Sequence, residues 1–244
     1  IRPHHDQWIA DGIVPREAWR KAGGQGLLCM AAPEDYGGAG VEDFRYPMIL
    51  AEDLPRANCT GPGFGIHSTI VAPYILKYGT DDQKRRFLAP MTEELMFSAY
   101  AVTEPEAGSD VSRVKTTAAK VGSDYVLNGV KWWITNGSVA SWYFVLARCD
   151  DKPTAFIVPA DSPGIVRGPK EINLGQHASN TVRVTFEDVK VAAENRLGEE
   201  GDGFQIAMKT FDHTRPGVAS GANGITKAAL NIALSYAKRR RTFD

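Results

Sequence analysis

The stretch Tyr100-Ala-Val-Thr-Glu-Pro-Glu-Ala-Gly-Ser-Asp110 concentrates hydroxyls, a proline turn, a glycine and a Ser-Asp pair in one short segment. Such a loop is rich in backbone N–H and hydroxyl donors, which suits an anion or the polar edge of a cofactor. The same composition also suits a plain surface turn. Farther along, Asn128-Gly-Val-Lys-Trp-Trp-Ile-Thr-Asn-Gly137 sets two tryptophans and a threonine between two turn dipeptides. In Asp212-His-Thr-Arg-Pro216 a carboxylate and a guanidinium stand at i and i+3 on a helical turn. That spacing makes a surface ion pair, and an arginine there also suits phosphate. Metal chemistry finds no local support: His4, His5, His67, His177 and His213 have no ligand spacing, and neither Cys-x-x-Cys nor His-Glu-x-x-His occurs. Gly61-Pro-Gly-Phe-Gly65 lacks the preceding strand and the spacing of a dinucleotide fingerprint.

Three stretches of different character must position these residues. Residues 1–95 read as an N-terminal α-helical domain punctuated by glycine and proline, with Asp81-Asp-Gln-Lys84 resembling a helix start. Residues 96–197 read as strands. Ser141-Trp-Tyr-Phe-Val-Leu-Ala147 is apolar throughout, as in a strand buried on both faces. Val182, Val184 and Phe186 alternate with Thr181, Arg183 and Thr185, the period of a half-exposed strand. Asn128-Gly129 and Asn136-Gly137 predict tight turns. No long helices alternate with these strands, so the sheet is expected to be antiparallel, a barrel or sandwich. Residues 198–244 begin a second helical domain. Val218, Ala222, Ile225, Ala229, Ile232 and Tyr236 form one stripe of a long helix that needs partner helices. Nothing after the stripe supplies them, which predicts a helical bundle cut after its first helix or two. The fold class expected is α+β: helical domain, central antiparallel β-barrel or sandwich, then the start of a helical bundle.

With these motifs in order, the chain resembles the acyl-CoA dehydrogenase family, of the medium- and short-chain type. Val102-Thr-Glu-Pro-Glu-Ala-Gly-Ser-Asp110 is similar to that family's first fingerprint and Trp133-Ile-Thr-Asn-Gly137 to its flavin strand. Phe186-Glu-Asp-Val-Lys-Val191 and Arg240-Arg-Thr-Phe243 match as well, and the resemblance runs the length of the chain. It implies FAD held by Tyr100, Val102, Thr103, Gly108 and Ser109, and by Trp133, Ile134 and Thr135. Trp133 would lie against the isoalloxazine and Thr135 would donate toward N5. Ser109, Asp212 and Arg215 would meet acyl-CoA, while Arg240 and Thr242 would reach the FAD of a neighbouring subunit. The implied reaction is α,β-dehydrogenation of a saturated acyl-CoA to the trans-2-enoyl-CoA. Electrons would pass to an electron-transferring flavoprotein, and the enzyme would be a homotetramer built as a dimer of dimers. Thr214 stands where some relatives carry a catalytic glutamate, so the resemblance places the base on a glutamate beyond Asp244 and none within the chain. Glu104 is expected to fix its loop. Glu106 departs from the family's glycine and brings a negative charge there. Trp132, adjacent to Trp133, is expected to face the other way, into the core.

Composition narrows the alternatives. The net charge of -1 argues against a nucleic-acid binder, and no apolar run is long enough to span a bilayer. Three separated cysteines, Cys29, Cys59 and Cys149, point to free thiols in a reducing compartment. With that, the resemblance implies the cytoplasm in a bacterium or the mitochondrial matrix in a eukaryote. Two other readings use the same residues: an acyl-CoA oxidase or flavin monooxygenase of the same fold, or a non-catalytic subunit that binds acyl-CoA.

Overall fold

Glycine and proline cut the first part of the chain into short helices. These are α1 (His5–Asp11), α2 (Arg16–Gly23), α3 (Arg45–Arg56), α4 (Ala72–Tyr78), α5 (Asp81–Gln83) and α6 (Ala89–Thr92). The structure is a computed structural model and describes residues 1–93 and 96–243. The expected domain boundary at Leu95 and the terminal Asp244 lie outside the described residues. π-helical turns at Ile66–Val71 and Lys84–Leu88 lead into α4 and α6. At the start of α5 the Thr80 hydroxyl accepts from the Gln83 N–H, and the Gln83 side chain accepts from the Thr80 N–H. This capping box is the helix start that the acidic Asp81-Asp82 pair signals.

An eight-stranded sheet follows. Its strands are β1 (Ser98–Ala101), β2 (Thr117–Val121), β3 (Asp124–Thr135), β4 (Trp142–Cys149), β5 (Lys152–Pro159), β6 (Ile165–Lys170), β7 (Thr181–Val191) and β8 (Arg196–Leu197). The order is β6-β7-β3-β2-β4-β5-β8, with β1 added against β4. Most pairings are antiparallel, as expected, but β1 runs parallel to β4 from Ser98↔Trp142 to Ala101↔Val145. β2 also touches β4 in parallel, at Thr117↔Arg148. The sheet is therefore mixed. The cause is the long route from β1 through the 102–116 loop and the β2–β3 hairpin, which returns β4 in the direction of β1.

β4 is buried on both faces, as its unbroken apolar run requires. Trp142, Phe144 and Leu146 pack with Val71, Tyr74, Ile75, Leu88 and Met91 of the helical layer. Tyr143, Val145 and Ala147 pack with Phe156, Val158, Val184 and Phe186 inside the sheet. One expected turn is absent. Asn128-Gly129 lies within β3, where the register against β7 shifts between Leu127 and Gly129. Gly129 has φ 153, and a Cβ there would lie 2.5 Å from Thr116 Oγ1. The glycine allows a close backbone approach and a bulge rather than a hairpin.

His67, on the first π-helical turn, ties the helical layer to β1. The Ser98 N–H donates to Nδ1 (3.2 Å), so Nε2 carries the proton and donates to the Met91 carbonyl (3.2 Å). Burial holds the imidazole pKa down, at about 4, against the opposing pull of the Met91 carbonyl. The folded state keeps His67 neutral while the unfolded chain takes up a proton below about pH 6.5. Stability from this group is therefore complete above pH 6.5 and is lost as pH falls toward 4. The expected slope is about 1.4 kcal/mol per pH unit in that window. Denaturant unfolding from pH 4 to 7 tests it: His67→Asn flattens the dependence by one proton, and an unchanged slope would refute the assignment.

The last element is α7 (Gly203–Arg239), 37 residues long. It lies along α3 through small residues, and a Cβ on Gly224 would meet the Glu52 carbonyl at 2.1 Å. Its buried positions are Gly203, Ile206, Ala207, Thr210, Thr214, Ser220 and Gly224. The stripe read from the sequence points elsewhere: Val218 is 72% exposed, Ile232 70% and Tyr236 57%. The helix forms as expected, but its apolar stripe is uncovered among the described residues.

Candidate functional site

The site is built around a defect in β3. Pairing with β7 shifts register between Lys131 and Ile134, and Trp133 adopts φ 61. A bulky residue in the left-handed region is costly, on the order of 1–3 kcal/mol, and persists where the surroundings enforce it. The extra residue breaks the alternation expected of neighbouring strand positions. Trp132 and Trp133 consequently do not face opposite ways: their rings stack at 5.9 Å and 24°. Trp132 is no core residue either. Its Nε1–H donates to Glu171 (2.7 Å), and the Arg183 guanidinium lies 5.8 Å from its ring centre. Trp133 is 55% exposed, a flat indole offered to solvent.

The loop after β1 is fastened to this bulge, the Trp132 N–H donating to the Thr103 carbonyl at 2.9 Å. Two segments distant in sequence are thus joined at one point, bringing Val102 and Thr103 beside Trp132 and Trp133. Gly108 and Ser109 are exposed, and a Cβ added at Gly108 would meet nothing within 4 Å. Thr135 is half-buried opposite Thr181 on β7, and its hydroxyl has no protein partner among the described residues. An exposed aromatic face, a free hydroxyl and an uncrowded glycine loop, stapled together, suit a flat cofactor with a polar edge.

Two of the other expected contacts could be made only through the main chain. Ile134 and Val102 have buried side chains. Tyr100 packs at 5.6 Å on Tyr74 and 5.3 Å on Phe144, and its hydroxyl bonds that of Tyr74 at 2.9 Å. Burial, first, and its tyrosine partner hold the Tyr100 hydroxyl pKa well up, so it stays protonated.

The two glutamates of the loop part company. Glu104 is buried and bonds Lys131 (2.8 Å), the Thr116 hydroxyl (2.6 Å) and the Lys115 N–H (2.6 Å). Burial pushes its carboxyl pKa up, but the Lys131 charge and these donors pull harder, and the net direction is down. It fixes its loop, as expected. Glu106 is exposed and pairs with Lys115, whose hydrogen bond and charge lower its carboxyl pKa. The extra charge in the loop is thus neutralised locally. Lys131 escaped sequence reading altogether, since nothing in the spacing links it to Glu104 across 27 positions. A lysine between Val130 and Trp132 in a strand was the available signal.

On α7, Arg215 Nη1 donates to Asp212 (2.9 Å), with both side chains largely exposed. Thr214 beside them is buried, its hydroxyl donating to the Phe211 carbonyl at 3.2 Å. An apolar cavity of about 520 Å³ opens at the same turn, lined by Phe44, Leu50, Leu54, Phe64, Leu76 and His213. Arg240 and Thr242 lie past the end of α7, exposed, with no described contact to the loop or the bulge. Among the described residues no group of histidines, cysteines and acids could hold a metal.

Comparison with known proteins bears on the same segments. Family models match as the N-terminal domain of acyl-CoA dehydrogenase over 1–94, the middle domain over 99–189 and the C-terminal domain over 201–244. The probable medium-chain specific acyl-CoA dehydrogenase 2, mitochondrial, of Caenorhabditis briggsae is 43% identical over 99% of this chain and 61% of its own length. The crystal structure of an acyl-CoA dehydrogenase from Geobacillus kaustophilus superposes with a TM-score of 0.95 at 38% identity, over 99% of this chain and 65% of that one. An acyl-CoA dehydrogenase complexed with FAD from Bacillus anthracis gives 0.92 at 34%, over 99% and 42%. The chain spans about three-fifths of the length of the curated relative it matches. Three domain models in their proper order, each on the segment whose architecture it describes, establish that the chain belongs to the acyl-CoA dehydrogenase family.

Proposed function

We propose that this chain is the FAD- and acyl-CoA-binding part of an enzyme that converts a saturated acyl-CoA to its trans-2-enoyl-CoA. The observation that carries the reading is the Trp132–Thr103 staple, which sets a donor-rich loop against an outward-facing indole. Bound FAD would supply the acceptor for the β-hydrogen as hydride. Trp133 covers one side of the ring system and excludes water. The Thr135 hydroxyl orients the flavin by donating to its polar edge, where a donor favours the more anionic reduced form. Backbone groups of Tyr100, Val102 and Ile134, with Thr103, Gly108 and Ser109, line the remaining edge, and Ser109 also reaches the thioester ligand. Asp212 and Arg215 bind the CoA moiety. The apolar cavity flanked by His213, on the same turn, receives the acyl chain.

The wider reading follows from these roles. Residues 1–95, 96–197 and 198–244 act as three units. Arg240 and Thr242 meet the FAD of another subunit in a homotetramer, and an electron-transferring flavoprotein takes the electrons. No described helix is long and apolar enough to cross a membrane. The compartment that fits is the mitochondrial matrix in a eukaryote and the cytoplasm in a bacterium.

The test is FAD binding by the purified full-length protein. Thr135→Val removes one hydrogen bond to the flavin, worth about 1–3 kcal/mol, and weakens binding roughly five- to a hundredfold or shifts the flavin potential. Unchanged flavin content and unchanged reduction by acyl-CoA would remove Thr135 from the site. A wild-type protein that takes up no FAD would remove the reading as a whole.

A further inference from the structure

Beneath the loop lies an ion pair sealed from water. The side chains of Lys131 and Glu104 are 0% and 5% exposed, with Nζ 2.8 Å from Oε1. Lys131 also donates to the carbonyls of Leu146 (2.6 Å) and Val102 (3.1 Å), so its three hydrogens are all engaged. Glu104 Oε1 accepts from the Thr116 N–H (3.0 Å) and hydroxyl (2.6 Å), and Oε2 from the Lys115 N–H (2.6 Å). The network joins four segments at one point: the exit of β1, the middle of β3, β4, and the strand-like stretch before β2.

Such a pair is poor material for stability alone. Replacing a buried ion pair by apolar residues of similar size is often neutral or stabilising, whereas removing one partner strands a charge. What apolar side chains cannot supply is direction. Each bond here aims a particular carbonyl or N–H, and the Val102 carbonyl stands next to the Thr103 carbonyl that receives the Trp132 N–H. Lys131 in turn immediately precedes Trp132 and the bulge. The pair is therefore the point from which both halves of the proposed flavin site are measured. Glu104 has no free oxygen left for chemistry of its own.

We infer that the Glu104–Lys131 pair is a positioning device for the flavin, holding the 102–110 loop in fixed register with the Trp133 bulge and thereby setting FAD affinity and reduction potential. The inference rests on the FAD reading proposed above and deepens it.

The experiment uses full-length protein stripped of flavin, with Glu104→Gln, Lys131→Met, the two combined, and Thr116→Val. For each, apoprotein melting, FAD titration followed by tryptophan emission, and the midpoint potential of the bound flavin are measured. Each single change of the pair lowers the melting temperature and weakens FAD on the order of tenfold or more. The combined variant, with no stranded charge, recovers most of the melting temperature yet keeps the weakened FAD binding and a shifted potential. Thr116→Val keeps both charges, removes one donor and weakens FAD severalfold, which reads the network even where the single charge changes fail to fold. Wild-type affinity and potential in both the combined variant and Thr116→Val would overturn the inference while leaving the FAD reading intact. A wild-type protein that binds no FAD would overturn both.

Discussion

Arg215→Ala raises the KM for acyl-CoA by roughly ten- to a hundredfold and leaves FAD content and melting temperature nearly unchanged. The size of the effect comes from one charge-assisted hydrogen bond, worth about 1.5–3 kcal/mol, converted at about 1.4 kcal/mol per decade. Its selectivity comes from where Arg215 sits. The guanidinium is 68% exposed and its protein contacts are Asp212 and, at 6.0 Å, the ring of Phe211. An exposed pair of that kind contributes about 0–1 kcal/mol to stability, so truncation has little to remove from the fold. A phosphate engaging the guanidinium bidentately gains what the surface pair does not. Measuring KM together with flavin content separates the outcomes. If acyl-CoA affinity holds and FAD is lost, Arg215 belongs to the flavin site.

Motifs were legible in the sequence because they are local. The donor-rich loop, the Trp-Trp-Ile-Thr segment and the Asp-x-x-Arg turn all sit where backbone and spacing predict loop, strand and helix. β4 was legible for a different reason: an unbroken apolar run can only be buried on both faces. What the sequence hid depends on pairings between distant segments. β1 sits parallel to β4 because of the route the chain takes between them, and no residue of Ser98–Ala101 records that route. Gly129 reads as a turn until Thr116 is seen against it. Trp132 reads as a core residue because period-two alternation holds in regular strands, and a single extra residue at Trp133 defeats it. On α7 the apolar stripe is the louder signal, yet the face buried here is the quieter one of glycine, alanine, serine and threonine. Close approach of α3 favours absent side chains over large ones. The roles assigned to Arg240 and Thr242 depend on a second chain, which their own exposure neither supplies nor opposes.

Residues 1–244 expressed alone and loaded with FAD leave the flavin unbleached when mixed anaerobically with a medium-chain acyl-CoA, or bleach it at least about a hundredfold more slowly than the full-length protein. Removing the α-proton requires a base within reach of the substrate, and general base catalysis contributes typically 10²–10⁴ in rate. The loop carboxylates, Glu171 and Asp212 are each held by a protein partner, whereas Glu42 lines the apolar cavity with no hydrogen bond or ion pair among the described residues. Glu104 is buried with both oxygens committed to Lys131, Thr116 and Lys115. Glu106 faces solvent in a pair with Lys115. Glu171 accepts from the Trp132 indole, and Asp212 is held by Arg215. Thr214 occupies the helical position from which a glutamate could reach inward, but its hydroxyl donates to the Phe211 carbonyl. A threonine with no partner to take its proton is too weak a base at neutral pH. Bound FAD is quantified first, so that silence from an empty site is not mistaken for silence from a missing base. Bleaching near the full-length rate would mean that a base lies within 1–244. Glu42→Gln, Glu104→Gln and Glu106→Gln in that same segment would then show which carboxylate had reached the substrate.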